Sequence, residues 1–328
     1  MGAGSIGCWL GGRLAAAGVP VHFVGRPRVL QALREHGLTL TDRDGGHAPL
    51  PPTQLSLHEV PPPRLAPALV LLCVKSGGTA DAARQLAAAL PAGTPVVSMQ
   101  NGLSNVPSAQ AAAPALQWIA GMVPYNIAEV GPGRFHRGTS GLLAAQDHPA
   151  LRAWQAAFDR AGLPLALHAD LRSVQWGKLL LNLNNAVNAL SGLPLRAQLL
   201  DADLRLCTAA LIEETLALLA AAGIVPAKMS PLPPAWVPRV MRLPTPLFRL
   251  VASGSLRIDA QARSSMADDL ALGRPTEIDA LQGEVIRLAR SLGRAAPLNE
   301  RISALVKAWP ERRQPCSGRA LREALGIG

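Results

Sequence analysis

The first half of the chain alternates short apolar runs with stretches of helical period. Pro20 to Val24 (PVHFV) and Ala68 to Val74 (ALVLLCV) carry almost no polar alternation, the pattern of strands buried on both faces. Pro95 to Met99 and Trp118 to Val123 repeat it. Between these runs, Pro27 to His36 predicts a helix that Gly37 closes, and Thr79 to Leu90 predicts another. Such alternation predicts a parallel sheet with helices on its faces. Leu38 to Pro63 is looser and Pro-rich, in keeping with a hairpin insert, and Gly133 to Leu143 suggests a further antiparallel excursion.

Near residue 170 the texture changes. Asp170 to Leu190 reads as one long helix, Asp201 to Ala222 as a second, Glu277 to Leu292 as a third and Pro297 to Trp309 as a fourth. Strand-like runs are scarce there. The prediction is an α/β chain with a sheet domain over 1–170 and a mostly α-helical domain over 171–328. Pro231 to Pro246, rich in Pro, Trp and Phe, reads as a lid or as a loop packed on the helices.

Gly2-Ala3-Gly4-Ser5-Ile6-Gly7 is a GxGxxG sequence that opens a helical pattern. Glycine serves a tight turn, close backbone approach to a pyrophosphate, and close helix–strand packing, while Ser5, Ile6 and Gly7 bring helix-start N–H groups to the phosphates. The next strand-like run ends at Gly25-Arg26, where an acidic residue would bind the ribose hydroxyls of NAD. Arg26 suits the 2′-phosphate of NADP instead, with Arg28 close by; the bland alternative is a solvated loop charge. The sheet is thus Rossmann-like, but its first strand is truncated: Met1 stands directly before the glycine loop. The expectation is that the chain begins about six residues upstream, a strand's length.

Composition narrows the remaining choices. The formal charge is +10, yet the basic residues are nearly all Arg, scattered, and not interleaved with aromatics, which make up 3%. Nucleic-acid binding is therefore disfavoured, and an anionic cofactor or substrate accounts for part of the excess. Cys8, Cys73, Cys207 and Cys316 are widely separated, and the histidines are dispersed, so neither a metal site nor a disulfide framework is expected. No signal peptide or membrane span is evident, and a cytoplasmic monomer or homodimer is expected.

There are only four lysines, Lys75, Lys178, Lys228 and Lys307. Lysine does chemistry that arginine does not, because its pKa is readily lowered and it then donates a proton. Lys178 lies in WGKLLLNLNNAVN, residues 176–188. On a helix, Asn182 and Asn185 share its face, while Asn184 and Asn188 point elsewhere. Several asparagines in so apolar a helix need partners. They serve either helix–helix hydrogen bonding or a polar strip lining a substrate cleft.

The W-G-K-L-x-x-N stretch, together with the glycine loop, resembles the 2-dehydropantoate 2-reductase (ketopantoate reductase) family. Val74-Lys75-Ser76, Gln100-Asn101-Gly102, Ser264-Ser265-Met266 and Thr276-Glu277-Ile278-Asp279 match further family segments in the family's order. The resemblance implies NADPH-dependent reduction of a 2-keto acid in the pantothenate and coenzyme A pathway, with substrate at a cleft between domains. It also implies that Lys178 is the general acid and that Glu277 orients substrate and ammonium and reaches the cofactor. Asn101, Asn182 and Asn185 would position substrate, Asn101 the cofactor as well; Ser265 would bind the substrate carboxylate, and Lys75 would lie near the nicotinamide ribose. Each has a plainer alternative: Glu277 as a helix-start acid, Ser265 with Asp268 as a capping box, Asn101-Gly102 as a turn. Where the family carries its second asparagine this chain has Ala186, flanked by Asn185 and Asn188. The rivals are a reductase of another 2-keto acid and a non-catalytic NADP-binding paralogue.

Overall fold

A computed structural model describes residues 1–43, 45–254, 256 and 261–328. The chain divides into two compact units, Met1–Leu171 and Arg172–Gly328.

In the first unit the glycine loop leads into α1 (Ser5–Ala16), followed by β1 (His22–Val24) and α2 (Pro27–His36). Pro27 stands in the first turn of α2, where its fixed φ is already helical, and Gly37 closes that helix. Strands β2 (Leu38–Asp42) and β3 (His47–Leu50) form the anticipated hairpin, and β4 (Ser56–His58) returns beside β1 in parallel. Then come β5 (Val70–Leu72), α3 (Thr79–Ala89), β6 (Pro95–Ser98), α4 (Asn105–Ala112), β7 (Gln117–Met122), β8 (Ile127–Gly131), β9 (Arg134–Arg137), β10 (Leu143–Gln146), α5 (Pro149–Arg152), α6 (Gln155–Arg160) and β11 (Leu165–His168). The larger sheet runs β11-β10-β7-β6-β5, with β5, β6 and β7 parallel. A second sheet, β3-β2-β9-β8, joins the hairpin to the antiparallel excursion.

Strands β1 and β5 do not pair with each other. Met1 alone stands between them. Its carbonyl accepts from Cys73 N at 2.8 Å and its ammonium donates to Leu71 O at 2.9 Å, while Gly2 N donates to Val24 O at 2.8 Å. Beyond this one-residue bridge lies an apolar cavity of about 140 Å³, lined among others by Leu14, Phe23, Leu71, Leu86 and Trp154. Burial also disfavours the charged form of the Met1 amine, lowering its pKa.

The second unit is helical. The sequence pattern predicted one helix over Asp170 to Leu190; the structure has two, α7 (Arg172–Asn182) and α8 (Asn184–Ser191), broken at Leu183. The Leu183 carbonyl accepts from the buried Gln282 side chain at 3.2 Å. Next are α9 (Leu195–Leu200) and the long α10 (Ala202–Ala221), whose Asp201 cap accepts from Leu204 N at 3.0 Å. The Pro-rich segment contains α11 (Val237–Met241) and α12 (Thr245–Val251) and is packed on α10. Buried Arg205 of α10 fastens it by donating to the carbonyls of Met241 and Leu243, at 3.0 Å each. The fold continues with α13 (Ser265–Ala271), α14 (Ile278–Ser291), α15 (Pro297–Lys307), α16 (Trp309–Arg312) and α17 (Gly318–Leu325). Ala186, Val187, Leu204, Met266, Ile278 and Ile302 meet in one buried core, where α13 packs on α8 and α14 on α10 and α15.

Among the described residues no helix is long and apolar enough to cross a membrane.

Candidate active site

In the first unit the glycine loop, the turn after β5 and the turn after β6 adjoin. Gly2 has φ +93°, and a Cβ there would fall 2.5 Å from Val74 N, so only glycine lets the loop lie against the end of β5. Residues 73–76 lead from β5 into Lys75. Ser76 Oγ donates to the Asn101 carbonyl at 3.2 Å, and Gln100 Nε2 to the Val74 carbonyl at 2.9 Å, tying the Lys75 turn to the Asn101 turn. Asn105 Nδ2 also donates to the Asn101 carbonyl, at 2.6 Å. The Asn101-Gly102 pair does form a turn, with Gly102 at φ +87°. Its carbonyl is fixed by side chains that the sequence pattern did not single out.

At the helix start the geometry suits a phosphate. Gly4 is the N-cap of α1 with no side chain to cap it, and a Cβ placed there would meet nothing within 4 Å. The first-turn N–H groups of Ser5, Ile6 and Gly7 precede any intrahelical acceptor, at the positive end of the helix dipole. Arg26 is exposed at the N-cap position of α2. Arg28 is committed elsewhere: its guanidinium forms a bidentate pair with Glu129, at 2.9 and 3.0 Å. Arg26 is therefore the better placed of the two to meet a 2′-phosphate.

In the second unit Lys178 and Asn182 lie one turn apart on α7, and Asn185 follows on α8. Lys178 is half-buried, and burial lowers its pKa to about 8. Gly177 explains part of the motif physically: a Cβ there would strike the Ala227 carbonyl and lie 2.9 Å from Met229. Segment 225–229 is strapped across α7 by Ala227 N to Ser173 O at 2.9 Å and Ser173 Oγ to Val225 O at 2.6 Å. The glycine next to Lys178 thus lets this strap close over the helix.

The asparagines differ in their partners. Asn184 turns away, exchanging hydrogen bonds with Gln198 at 2.9 and 3.2 Å and accepting from Thr208 at 3.0 Å. Asn188 is fully buried. Asn185 keeps a partly exposed side chain, and its carbonyl accepts from Ser264 Oγ at 3.3 Å. The cap of α13 is Ser264, which accepts from Ala267 N at 3.2 Å, and not a Ser265–Asp268 box. Ser265 is left exposed as the first helical residue. Glu277 is half-buried at the N-cap position of α14, the helix start where an acid favours the dipole, and its side chain makes no cap hydrogen bond. Among the described residues no group of three or more His, Cys, Asp or Glu could hold a metal ion.

Comparison with known proteins agrees with this two-part arrangement. Residues 1–150 match the family model for ketopantoate reductase PanE/ApbA, and residues 170–310 match its C-terminal counterpart. A 2-dehydropantoate 2-reductase of Halobacterium salinarum is 29% identical over 93% of this chain and 96% of its own length. A Pyrococcus horikoshii 2-dehydropantoate 2-reductase is 26% identical over 94% and 95%. Among solved structures, a PanE/ApbA family ketopantoate reductase from Ralstonia eutropha JMP134 superposes with a TM-score of 0.79 at 30% identity, covering 96% of this chain and 98% of that one. A D-mandelate dehydrogenase with NADH and anilino(oxo)acetate shares the fold, at 20% identity and a TM-score of 0.77 over 95% and 97% of the two chains. With both halves matched in order and over nearly their full length, the chain belongs to the ketopantoate reductase PanE/ApbA family of NADPH-using oxidoreductases.

Proposed function

We propose that this protein reduces 2-dehydropantoate to pantoate with NADPH, using Lys178 as the proton donor. The observation that carries the reading is a half-buried lysine whose pKa burial brings to about 8, on the helix that also carries Asn182. A donor of that acidity holds its proton at neutral pH and still releases it to a developing alkoxide. Bound NADPH supplies a hydride to the ketone carbon. Lys178 then gives a proton to the oxygen, so that C=O becomes CH–OH, and its positive charge stabilises the oxygen as the hydride arrives.

The other residues hold the reactants. Gly2, Gly4, Ser5, Ile6 and Gly7 cradle the pyrophosphate, and Arg26 takes the 2′-phosphate. Lys75 would hold the nicotinamide ribose of a bound cofactor, and Asn101 would position both cofactor and substrate. Asn182 and Asn185 hold the substrate's oxygens, and Ser265 donates to its carboxylate. Glu277 orients the Lys178 ammonium, the substrate and the cofactor.

The test is NADPH oxidation with 2-dehydropantoate by the wild type and by Lys178→Ala. Turnover should fall about 10²–10⁴-fold, the usual worth of a positioned general acid, while NADPH affinity stays nearly unchanged. Equal loss of both would contradict the role. A panel of other 2-keto acids run alongside identifies the preferred substrate.

A further inference from the structure

Asn188 serves no step of the proposed chemistry, yet it is fully buried and both ends of its amide are used. Its Nδ2 donates to the Leu193 carbonyl at 2.9 Å, and its Oδ1 accepts from Ser264 N at 2.9 Å. A carbonyl only accepts and a backbone N–H only donates, so these two partners fix which way the amide faces. Neither an acid nor an aliphatic side chain reproduces the pair. Around it the same three segments are joined again. Ser264 Oγ donates to Asn185 O at 3.3 Å, Ser191 Oγ donates to Asn188 O at 2.9 Å, and Leu195 N donates to Ala262 O at 2.8 Å. The end of α8, the 193–195 connection and the 262–264 chain form one node, closed across 76 residues of sequence.

Ser264 is the cap of α13, and the next residue is Ser265. The helix on which Asn188 sits also carries Asn185 and follows directly on the Lys178 helix. We infer that Asn188 is a positioning residue: by gripping Ser264 N–H it sets where the Ser265 hydroxyl stands relative to Lys178 and Asn185, and so governs how firmly the substrate carboxylate is held. This rests on the proposed role of Ser265 as the carboxylate ligand. It also answers which of the two asparagines flanking Ala186 faces the substrate: Asn185 does, because Asn188 is spent on the main chain.

A double-mutant cycle on the KM for 2-dehydropantoate tests the inference, with Asn188→Ala, Ser265→Ala and the pair. Each single change should raise KM by about tenfold, the worth of one lost or misplaced hydrogen bond to a charged group, with a smaller change in kcat and none in NADPH affinity. The pair should be little worse than either alone, because Asn188 acts through Ser265. A merely structural Asn188 would reduce the amount of folded enzyme and leave KM in place. If Ser265→Ala raises KM and Asn188→Ala does not, or if the two effects multiply independently, the inference is overturned while the role of Ser265 stands. If Ser265→Ala leaves KM unchanged, the role of Ser265 fails and the inference falls with it. Should Asn188→Ala not accumulate folded, Asn188→Leu, which fills the same volume but leaves the Ser264 N–H without its acceptor, is expected to raise KM alike, and an unchanged KM in that variant overturns the inference.

Discussion

The two units solve the problem of buried polar groups in different ways. In the helical unit, buried or half-buried polar side chains reach backbone groups far along the chain. Asn188 holds Ser264, Arg205 holds the carbonyls at 241 and 243, and Glu214 accepts from the N–H groups of Leu298 and Asn299 at 2.9 and 3.0 Å. In the sheet unit the ladder is interrupted at its middle: a single residue bridges β1 and β5, an ammonium is buried at that bridge, and an apolar cavity continues beyond it. A core stitched by side chains resists small changes in shape, while a core short of a strand gains from being filled.

That contrast breaks most severely at Gly177. Replacing it with alanine drives a methyl group into the Ala227 carbonyl, on a strap that Ser173 holds at Ala227 N and at the Val225 carbonyl. Overpacking of this kind costs about 1–3 kcal/mol. The helix has to shift at the residue beside Lys178, so turnover should fall together with the melting temperature. An unchanged melting temperature would mean that the 225–229 strap yields freely and that the helical unit is softer than its hydrogen bonds imply.

The sheet unit should respond in the opposite sense. Fusing about five alternating Val and Ile residues ahead of Met1 supplies a strand for the cavity between β1 and β5 and replaces the buried ammonium with an amide N–H. We expect the melting temperature to rise by at least ~2–4 °C, the shift that about 1 kcal/mol produces in a domain of this size. A Gly-Ser extension of equal length should leave it unchanged. If both extensions behave alike, the cavity does not limit stability.

These two sites also mark how far the sequence could be read. Pro27, Gly37 and the apolar run at 68–74 carry their own local physics, and the helix and strand appear where the pattern puts them. Helical phase places Lys178 and Asn182 one turn apart on α7, but it does not carry across to Asn185, which stands on α8. The break at Leu183 was not legible, because apolar and Asn residues continue on both sides of it and Gln282, which donates to the Leu183 carbonyl, lies 99 residues away. Ser264 rather than Ser265 as the cap was equally hidden, since two adjacent serines cap equally well until Asn188 selects one. Gly177 could have been noticed as a helix-interior glycine, costly unless something approaches closely; what approaches, the Ala227 carbonyl, comes from a segment with no helical or strand pattern.

A smaller effect tests the cofactor end of the sheet unit. Arg26 is exposed and Arg28 is bound to Glu129, so Arg26→Ala should weaken NADPH about tenfold relative to NADH, the worth of one charge-assisted contact. Titrating both cofactors by fluorescence reads the ratio directly. An unchanged ratio would hand the 2′-phosphate to another group.

The mildest effect is the most discriminating, because the same lysine drives activity and stability in opposite directions. With its folded pKa lowered by burial to about 8, Lys178 is mostly protonated at pH 7 and half protonated at pH 8. Reduction needs the protonated form, so turnover should be level below about pH 7, fall by about half at pH 8, and continue down tenfold per unit above that. Stability follows the other sign. Between about pH 8 and the usual lysine pKa of 10.5, the unfolded chain holds a proton that the folded chain has released. Raising the pH through that window therefore favours the folded state at this site, and below it the burial of the charge is a constant cost. Alkaline unfolding of the sheet unit would make both quantities fall together. Measured against Lys178→Met, the wild type should lose rate and gain relative stability over the same window, and parallel losses would remove Lys178 as the titrating donor.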